Sequence, residues 1–239
     1  MKPPIAIGGL EKSGKTAFIC ALLKLAEKKG IQAAAFKPFD KGLLKRNAIE
    51  MLSDGEKFCL HMKGEPMATL VSPYCANEDY PMEMSFRRDG IRINWNVLNE
   101  RLAILDDLYQ RTFIELPASL LTPLTENKTA FDWIKETGAR IIWLFHPLHS
   151  QFIQNLFEIK LMNESRADYT IVFNNASLIM DQDLLFYTWE KTENFSNQEA
   201  AGMIPFIPAL NEQYQKMGEK IEESLSGLLE EIFRVSRTT

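Results

Sequence analysis

The sequence predicts an α/β fold, a mostly parallel sheet with helices on both faces in a three-layer sandwich. Three observations predict it. Short apolar runs alternate with longer amphipathic stretches along the chain, the strand–helix order that builds parallel sheets. The strongest of these runs, such as Ile141 to Phe145, read as buried strands, as in a parallel sheet covered on both faces. Finally, GGLEKSGKT (8–16) stands directly after the first run, where a strand turns into a helix. The 239 residues, without repeats, low-complexity tracts or a Pro/Ser-rich linker, read as one domain over 1–239.

The elements follow in order. Ile5-Ala6-Ile7 reads as a buried strand. Residues 15–29 form a helix with Ile19, Leu22, Leu23 and Ala26 on one face, ended by Gly30 with Lys28 and Lys29 in the last turn. Ala33 to Phe36 is a second strand. A helix is expected over 46–62 and an extended surface loop over 64–93, which is rich in Pro, Gly and charge. Residues 95–109 form an amphipathic helix. Arg111 to Ile114 is a strand ending at Glu115, 129–137 a helix, and Ile141 to Phe145 a buried strand. Helix 150–164 and strand Tyr169 to Phe173, ending in Asn174, come next. Residues 181–190 read as helix, Met203-Ile204 as a short strand, and 212–234 as one C-terminal helix.

Composition narrows the function classes. A net charge of -5 argues against a nucleic-acid partner, because polyanionic backbones select basic surfaces. No apolar run reaches the ~18 residues that span a bilayer, and the N-terminus lacks a secretory signal pattern. The 3 cysteines, Cys20, Cys59 and Cys75, form no CxxC pair and read as free thiols in a reducing cytoplasm. His146 and His149 lack the accompanying ligands of a zinc site.

Gly9-x-x-x-x-Gly14-Lys15-Thr16 satisfies the P-loop pattern in its proper setting. Backbone N–H groups of such a loop and of the helix start point at phosphate oxygens. Lys15 is expected to reach the β- and γ-phosphates, and the Thr16 hydroxyl to sit on Mg²⁺. Glu11 is unusual in an anion site, with Lys12 beside it to offset its charge.

In parallel sheets, ligands bind at the carboxyl ends of the strands. Lys37, held extended by Pro38, ends the second strand and is either a phosphate neighbour or a surface lysine. Glu115 closes a buried run and is a candidate Mg²⁺ partner. Asp54 is another, although Ser53-Asp54 is also an N-cap signal.

Together these stretches resemble the dethiobiotin synthetases. The matching pieces are GGLEKSGKT (8–16), FKPFDKG (36–42), SD (53–54), SPYCANEDYPMEM (72–84), ELPASLLTPL (115–124), TAFDWI (129–134), TIVFNN (170–175) and GMIPFIP (202–208), collinear over nearly the whole chain. The resemblance implies a homodimeric enzyme that uses MgATP and CO₂ to close 7,8-diaminopelargonic acid, a diamino acid, into the cyclic urea of dethiobiotin. It assigns Gly9, Glu11, Lys12, Ser13, Gly14, Lys15, Thr16, Asn174 and Pro205 to ATP, with Asn174 reading adenine. It gives catalytic charge neutralisation to Lys15 and Lys37, Mg²⁺ to Thr16, Asp54 and Glu115, and the substrate to Lys41 and Ser150. The amphipathic stretches 150–164 and 181–190 are open to either use, the subunit contact of such a dimer or, more commonly for apolar stripes, core packing.

The sequence departs from the family pattern at Gly9 and Glu11, where the family has threonines, and at Lys41, where it has serine. Leu116-Pro117-Ala118-Ser119 replaces Gly-Ala-Gly-Gly, and 149–153 replaces Gly-x-Ile-Asn-His. These departures leave open a paralogue that binds MgATP but acts on another small molecule or as a regulatory or assembly ATPase.

Overall fold

The computed structural model describes residues 3–47, 51–147, 149–174, 181–207 and 214–234. Six strands form one sheet: β1 (Ile5–Gly8), β2 (Ala33–Phe36), β5 (Arg111–Glu115), β8 (Arg140–Phe145), β9 (Tyr169–Asn174) and β10 (Gly202–Ile204), in the order β10-β9-β8-β1-β5-β2. Every neighbouring pair in it is parallel. All residues of β1, β2 and β5 are buried, the polar Arg111, Thr112 and Glu115 of β5 included, so both faces of this part of the sheet are covered.

Helices surround the sheet: α1 (Lys15–Lys28), α3 (Asp54–His61), α6 (Trp95–Leu108), α7 (Ala130–Thr137), α8 (Phe152–Glu164), α9 (Gln182–Ser196), α10 (Tyr214–Ser224) and α11 (Ser226–Phe233). Several begin at side-chain caps. Ser53 and Thr129 close capping boxes with Glu56 and Asp132, and Asn94 and Asp181 accept from first-turn N–H groups. Helix α1 buries Phe18, Ile19, Leu22, Leu23 and Leu25, more than the single face its periodicity suggests. Helix α10 packs over it at short range: a Cβ on Gly218 would lie 3.1 Å from Leu25 Cγ.

The sequence-based elements need several corrections. The segment 64–93 is not one extended loop. It folds into α4 (Ala68–Val71), β4 (Tyr74–Cys75), which pairs with β3 (Phe39–Asp40), and α5 (Met82–Arg88). Phe39, Phe86 and Val71 are buried there and hold this segment on the core. The expected helix over 46–62 resolves into α2 (Leu43–Asn47) and α3, with residues 48–50 outside the described residues. Residues 123–129 contain a small antiparallel pair, β6 (Pro123–Thr125) and β7 (Lys128–Thr129), that the sequence reading lacked. Helix α9 runs on to Ser196, beyond the expected end at 190. The C-terminal stretch breaks at Leu225 into α10 and α11; positions 212–213 of the expected helix, like Pro208, lie outside the described residues. Among the described residues no helix is long and apolar enough to cross a membrane.

Register positions the site. In the ladders Ile7 pairs with Glu115, and Phe36 with Ile114. The carboxyl ends of β1, β5 and β2 are therefore adjacent, and the residues that follow or close them, Gly8-Gly9, Glu115 and Lys37, emerge on one edge.

Candidate phosphate and metal site

The loop between β1 and α1 folds on left-handed backbone at Lys12 (φ 62°) and Gly14 (φ 90°). The doubled glycine has two separate reasons. A Cβ on Gly8 would meet the Trp143 ring at 2.6 Å, and one on Gly9 (φ 146°) would lie 2.6 Å from the Leu144 carbonyl oxygen. Both sites are pressed by β8, so this entry to the loop needs glycine. No side chain caps α1 at Gly14, and its first turn holds no acidic residue. A helix start left in this way presents N–H groups to an anion.

Lys15 is buried, and its Nζ donates to the carbonyls of Gly9 at 2.7 Å and Leu10 at 2.9 Å. Its ammonium thus spans the loop it belongs to. Burial lowers its pKa to about 8, with Glu115 opposing and Lys37 adding to the shift.

Three further segments converge here. Lys37 Nζ lies 2.5 Å from Asp54 Oδ2, 2.7 Å from Glu115 Oε1 and 3.7 Å from Asp40 Oδ1. Thr16 Oγ1 donates to Glu115 Oε1 at 3.1 Å and lies 3.5 Å from Asp54 Oδ2. Burial alone would depress the Lys37 pKa, but Glu115, Asp40 and Asp54 hold it well above the ordinary lysine value. Asp54 is also held by Lys57 at 2.9 Å. Ser53 is the N-cap, and the first helical residue it sets, Asp54, projects to the cluster.

The donor set suits a hard divalent cation. It offers one hydroxyl and two carboxylates, all oxygen, and Mg²⁺ takes only one or two protein carboxylates alongside substrate phosphates and water. Glu115 is 4% exposed, and its Oε2 has no hydrogen-bond partner among the described residues, so it carries spare ligating capacity. No group of three or more His, Cys, Asp or Glu side chains among the described residues forms a complete cage. The set therefore fits Mg²⁺ held jointly with a phosphate better than a stand-alone metal.

These groups open on a cavity of about 610 Å³. Glu11, Lys12, Gly14, Lys15 and Thr16 line one side, and Lys37, Asp54 and Glu115 the floor. The outer wall includes Lys41, Lys45, Leu116, Pro117 and Ala118. Lys41 is tied by its Nζ to Asp79 Oδ1 at 2.9 Å and to the Tyr80 carbonyl at 2.8 Å. The segment after Glu115 is anchored from α8: buried Glu158 accepts from Ser119 Oγ and, at 3.1 Å, from Leu120 N. Burial raises the Glu158 pKa, opposed by these two donors.

Other expected residues lie elsewhere. Asn174 is buried, and its Nδ2 donates to the Ser13 carbonyl at 2.7 Å, so in this structure it braces the loop from below. Within the loop Ser13 is buried, and neither Ser13 nor Gly9 lines the cavity. Pro205 is half-buried just after β10, and Ser150 is exposed in a 3-10 turn (His149–Gln151); neither lines the cavity. The neighbour of Ser150, Gln151, donates to the Glu11 carbonyl at 3.1 Å.

Sequence reasoning missed Asp40, Lys45, Lys57 and Asp79. Asp40 had a signal, its spacing of three from Lys37 across Pro38. Asp79 had none, because its segment read as a surface loop.

No family model matches the chain. A curated relative, the ATP-dependent dethiobiotin synthetase BioD of Thermodesulfovibrio yellowstonii, is 22% identical over 214 residues, covering 86% of this chain and 88% of that protein. Among solved structures, the septum site-determining protein MinD of Pyrococcus horikoshii, complexed with Mg-ADP, aligns with a TM-score of 0.56 at 16% identity, over 99% of this chain and 98% of that one. The fold is that of the P-loop NTPases. A ParA family ATPase from Chlorobium tepidum aligns similarly, with a TM-score of 0.51 at 14% identity over 92% of each chain. At these identities the structural neighbours speak for the fold alone.

Proposed function

We propose that this protein binds MgATP at the β1–α1 loop and uses it, as a dethiobiotin synthetase does, to carboxylate and cyclise a diamino acid. The observation that carries the nucleotide half is the convergence of Lys15, Thr16, Lys37, Asp54 and Glu115, from four separate segments, on one cavity. The collinear resemblance and the 22% identical relative support the biotin-type reaction.

In this reading the α1 N–H groups and Lys15 hold the β- and γ-phosphates. Thr16, Asp54 and Glu115 hold Mg²⁺, which neutralises phosphate charge. One substrate amine adds to CO₂ to give a carbamate. The carbamate oxygen takes the γ-phosphoryl, releasing ADP, and the second amine displaces phosphate from the carbonyl to close the urea. Lys37 stands at the transferring phosphoryl and the carbamate. Little covalent chemistry falls to the protein, whose contribution is position and charge. The outer wall, with Lys41, contacts the substrate.

A second reading, an ATPase of this fold with another small-molecule substrate or a regulatory role, is favoured by one observation. The wall after Glu115 is Leu116-Pro117-Ala118, and Pro117 has no N–H to offer a ligand. One experiment separates the two. Purified protein with MgATP, bicarbonate and 7,8-diaminopelargonic acid is expected to release ADP only when all three are present. MgATP binding without substrate-dependent release would select the second reading.

The same proposal includes a homodimer formed through α8 and α9. Supporting it, α9 buries Thr188, Thr192 and Ser196 while Phe186 (73%) and Phe195 (54%) are exposed, and α8 exposes Ile153 (62%) and Phe157 (68%). This reversed amphipathicity suits a covered surface.

A further inference from the structure

The ammonium of Lys37 and a divalent cation need the same oxygens. Lys37 Nζ lies 2.5 Å from Asp54 Oδ2 and 2.7 Å from Glu115 Oε1, the carboxylate oxygens that also lie nearest the Thr16 hydroxyl. Thr16 Oγ1 donates to the same Glu115 oxygen, at 3.1 Å. Mg²⁺ demands oxygens at roughly 2.0–2.1 Å in near-octahedral array. An ammonium already in contact with both carboxylates blocks that array by space and by charge.

The backbone around Lys37 is fixed, which confines any rearrangement to the side chain. Lys37 N donates to the Val71 carbonyl at 2.9 Å, Ser72 Oγ donates to the Lys37 carbonyl at 2.8 Å, and Pro38 follows. The side chain has somewhere to go, since Lys37 lines the cavity beside Lys15.

We propose that Lys37 is a tethered counter-cation: its ammonium holds the Asp54–Glu115 pair together until a divalent cation takes those oxygens, and then turns into the cavity. The identification of that cation as Mg²⁺ rests on the nucleotide reading. Two consequences follow. The facing oxygens of the carboxylate pair thus always have a cation between them, Lys37 or the metal, while Lys57 stays on the other oxygen of Asp54. The Lys37 ammonium also becomes available to a ligand in the cavity only after the cation site is filled, which orders the assembly of the site.

Mn²⁺ binding to the nucleotide-free full chain, followed by the EPR signal of free Mn²⁺, tests this. Lys37→Gln removes the competing charge and is expected to bind Mn²⁺ on the order of tenfold more tightly than the wild type, whereas Lys37→Arg keeps the charge and gains nothing. Equal or weaker Mn²⁺ affinity in Lys37→Gln overturns the proposal. If Lys37→Gln is unfolded in chelator, refolding on addition of Mn²⁺ supports the proposal and failure to refold overturns it. MgATP binding to the wild type is measured in parallel. A protein that shows the Lys37→Gln effect but binds no nucleotide loses the proposed function and retains this inference.

Discussion

Asn174 fills the space into which a side chain on Gly14 would have to grow. Its amide nitrogen donates to Ser13 O at 2.7 Å, and a Cβ built on Gly14 runs into that same nitrogen. The end of β9 and the start of α1 thus lock each other through one residue without a side chain.

Gly14→Ala is therefore expected to destabilise the protein on two counts. The left-handed backbone at φ 90° costs an alanine about 1–2 kcal/mol, and the contact with Asn174 adds to it. Asn174→Ala alone loses a buried hydrogen bond, about 1 kcal/mol. In the double variant the steric part disappears, so the combined loss is smaller than the sum. Urea denaturation of the four proteins reads this cycle, and strict additivity would show that the two sites do not touch.

On the proposed function, Lys15→Ala and Lys37→Ala are each expected to lower turnover by ~10²-fold or more, because each removes a positive charge that this reading assigns to the transferring phosphoryl group. Steady-state ADP release with the diamino acid and bicarbonate measures both. Unchanged turnover would remove that lysine from the mechanism.

Glu158 gives stability a pH dependence of determinate sign. Burial raises its folded-state pKa, so the folded protein binds the proton more tightly than the unfolded chain. Its favourable contribution is complete below the unfolded value, near 4.3, and is lost as pH rises through the raised folded value. Gln at this position can still accept from Leu120 N without ionising. The denaturation midpoint of Glu158→Gln is expected to rise relative to wild type between pH 4 and 7. A constant difference across that range would mean that Glu158 does not titrate differently in the two states.

The exposed aromatics of α8 and α9 carry the oligomer prediction. Phe157→Glu combined with Phe186→Glu places charge on residues that are 68% and 73% exposed, which leaves the fold intact. Sedimentation equilibrium is expected to show a dimer for the wild type and a monomer for the double variant. A wild-type monomer at micromolar concentration would dismiss the dimer.

Local pattern was enough for much of this molecule. The parallel sheet was legible because its strands carry short apolar runs that alternate with helical stretches, and α1 because a P-loop pattern and a 3.6-residue period coincide. Lys15, Thr16, Lys37, Asp54 and Glu115 were all legible as candidate residues at strand ends or helix starts, and the structure brings them to one cavity. Elements held by distant partners were not. α4, β4 and α5 lie in a stretch rich in Pro, Gly and charge, and they exist because Phe39, Val71 and Phe86 bury themselves together. Such burial leaves no period in sequence.

The amino-acid sequence by itself determined the α/β class, the position of the phosphate loop and the identity of the charged groups around it, since each depends on neighbours within a few residues. Only the tertiary structure decided how those groups meet. It set Lys37 between Asp54 and Glu115, turned Asn174 to the loop backbone, and left Ser150 and Pro205 off the cavity. It also gave Gly8 and Gly9 separate purposes, one facing the Trp143 ring and the other the Leu144 carbonyl. The physical reason is register. The pairing of Ile7 with Glu115 and of Phe36 with Ile114 sets which side chains lie within ion-pair distance, and these pairs are 108 and 78 positions apart in the chain.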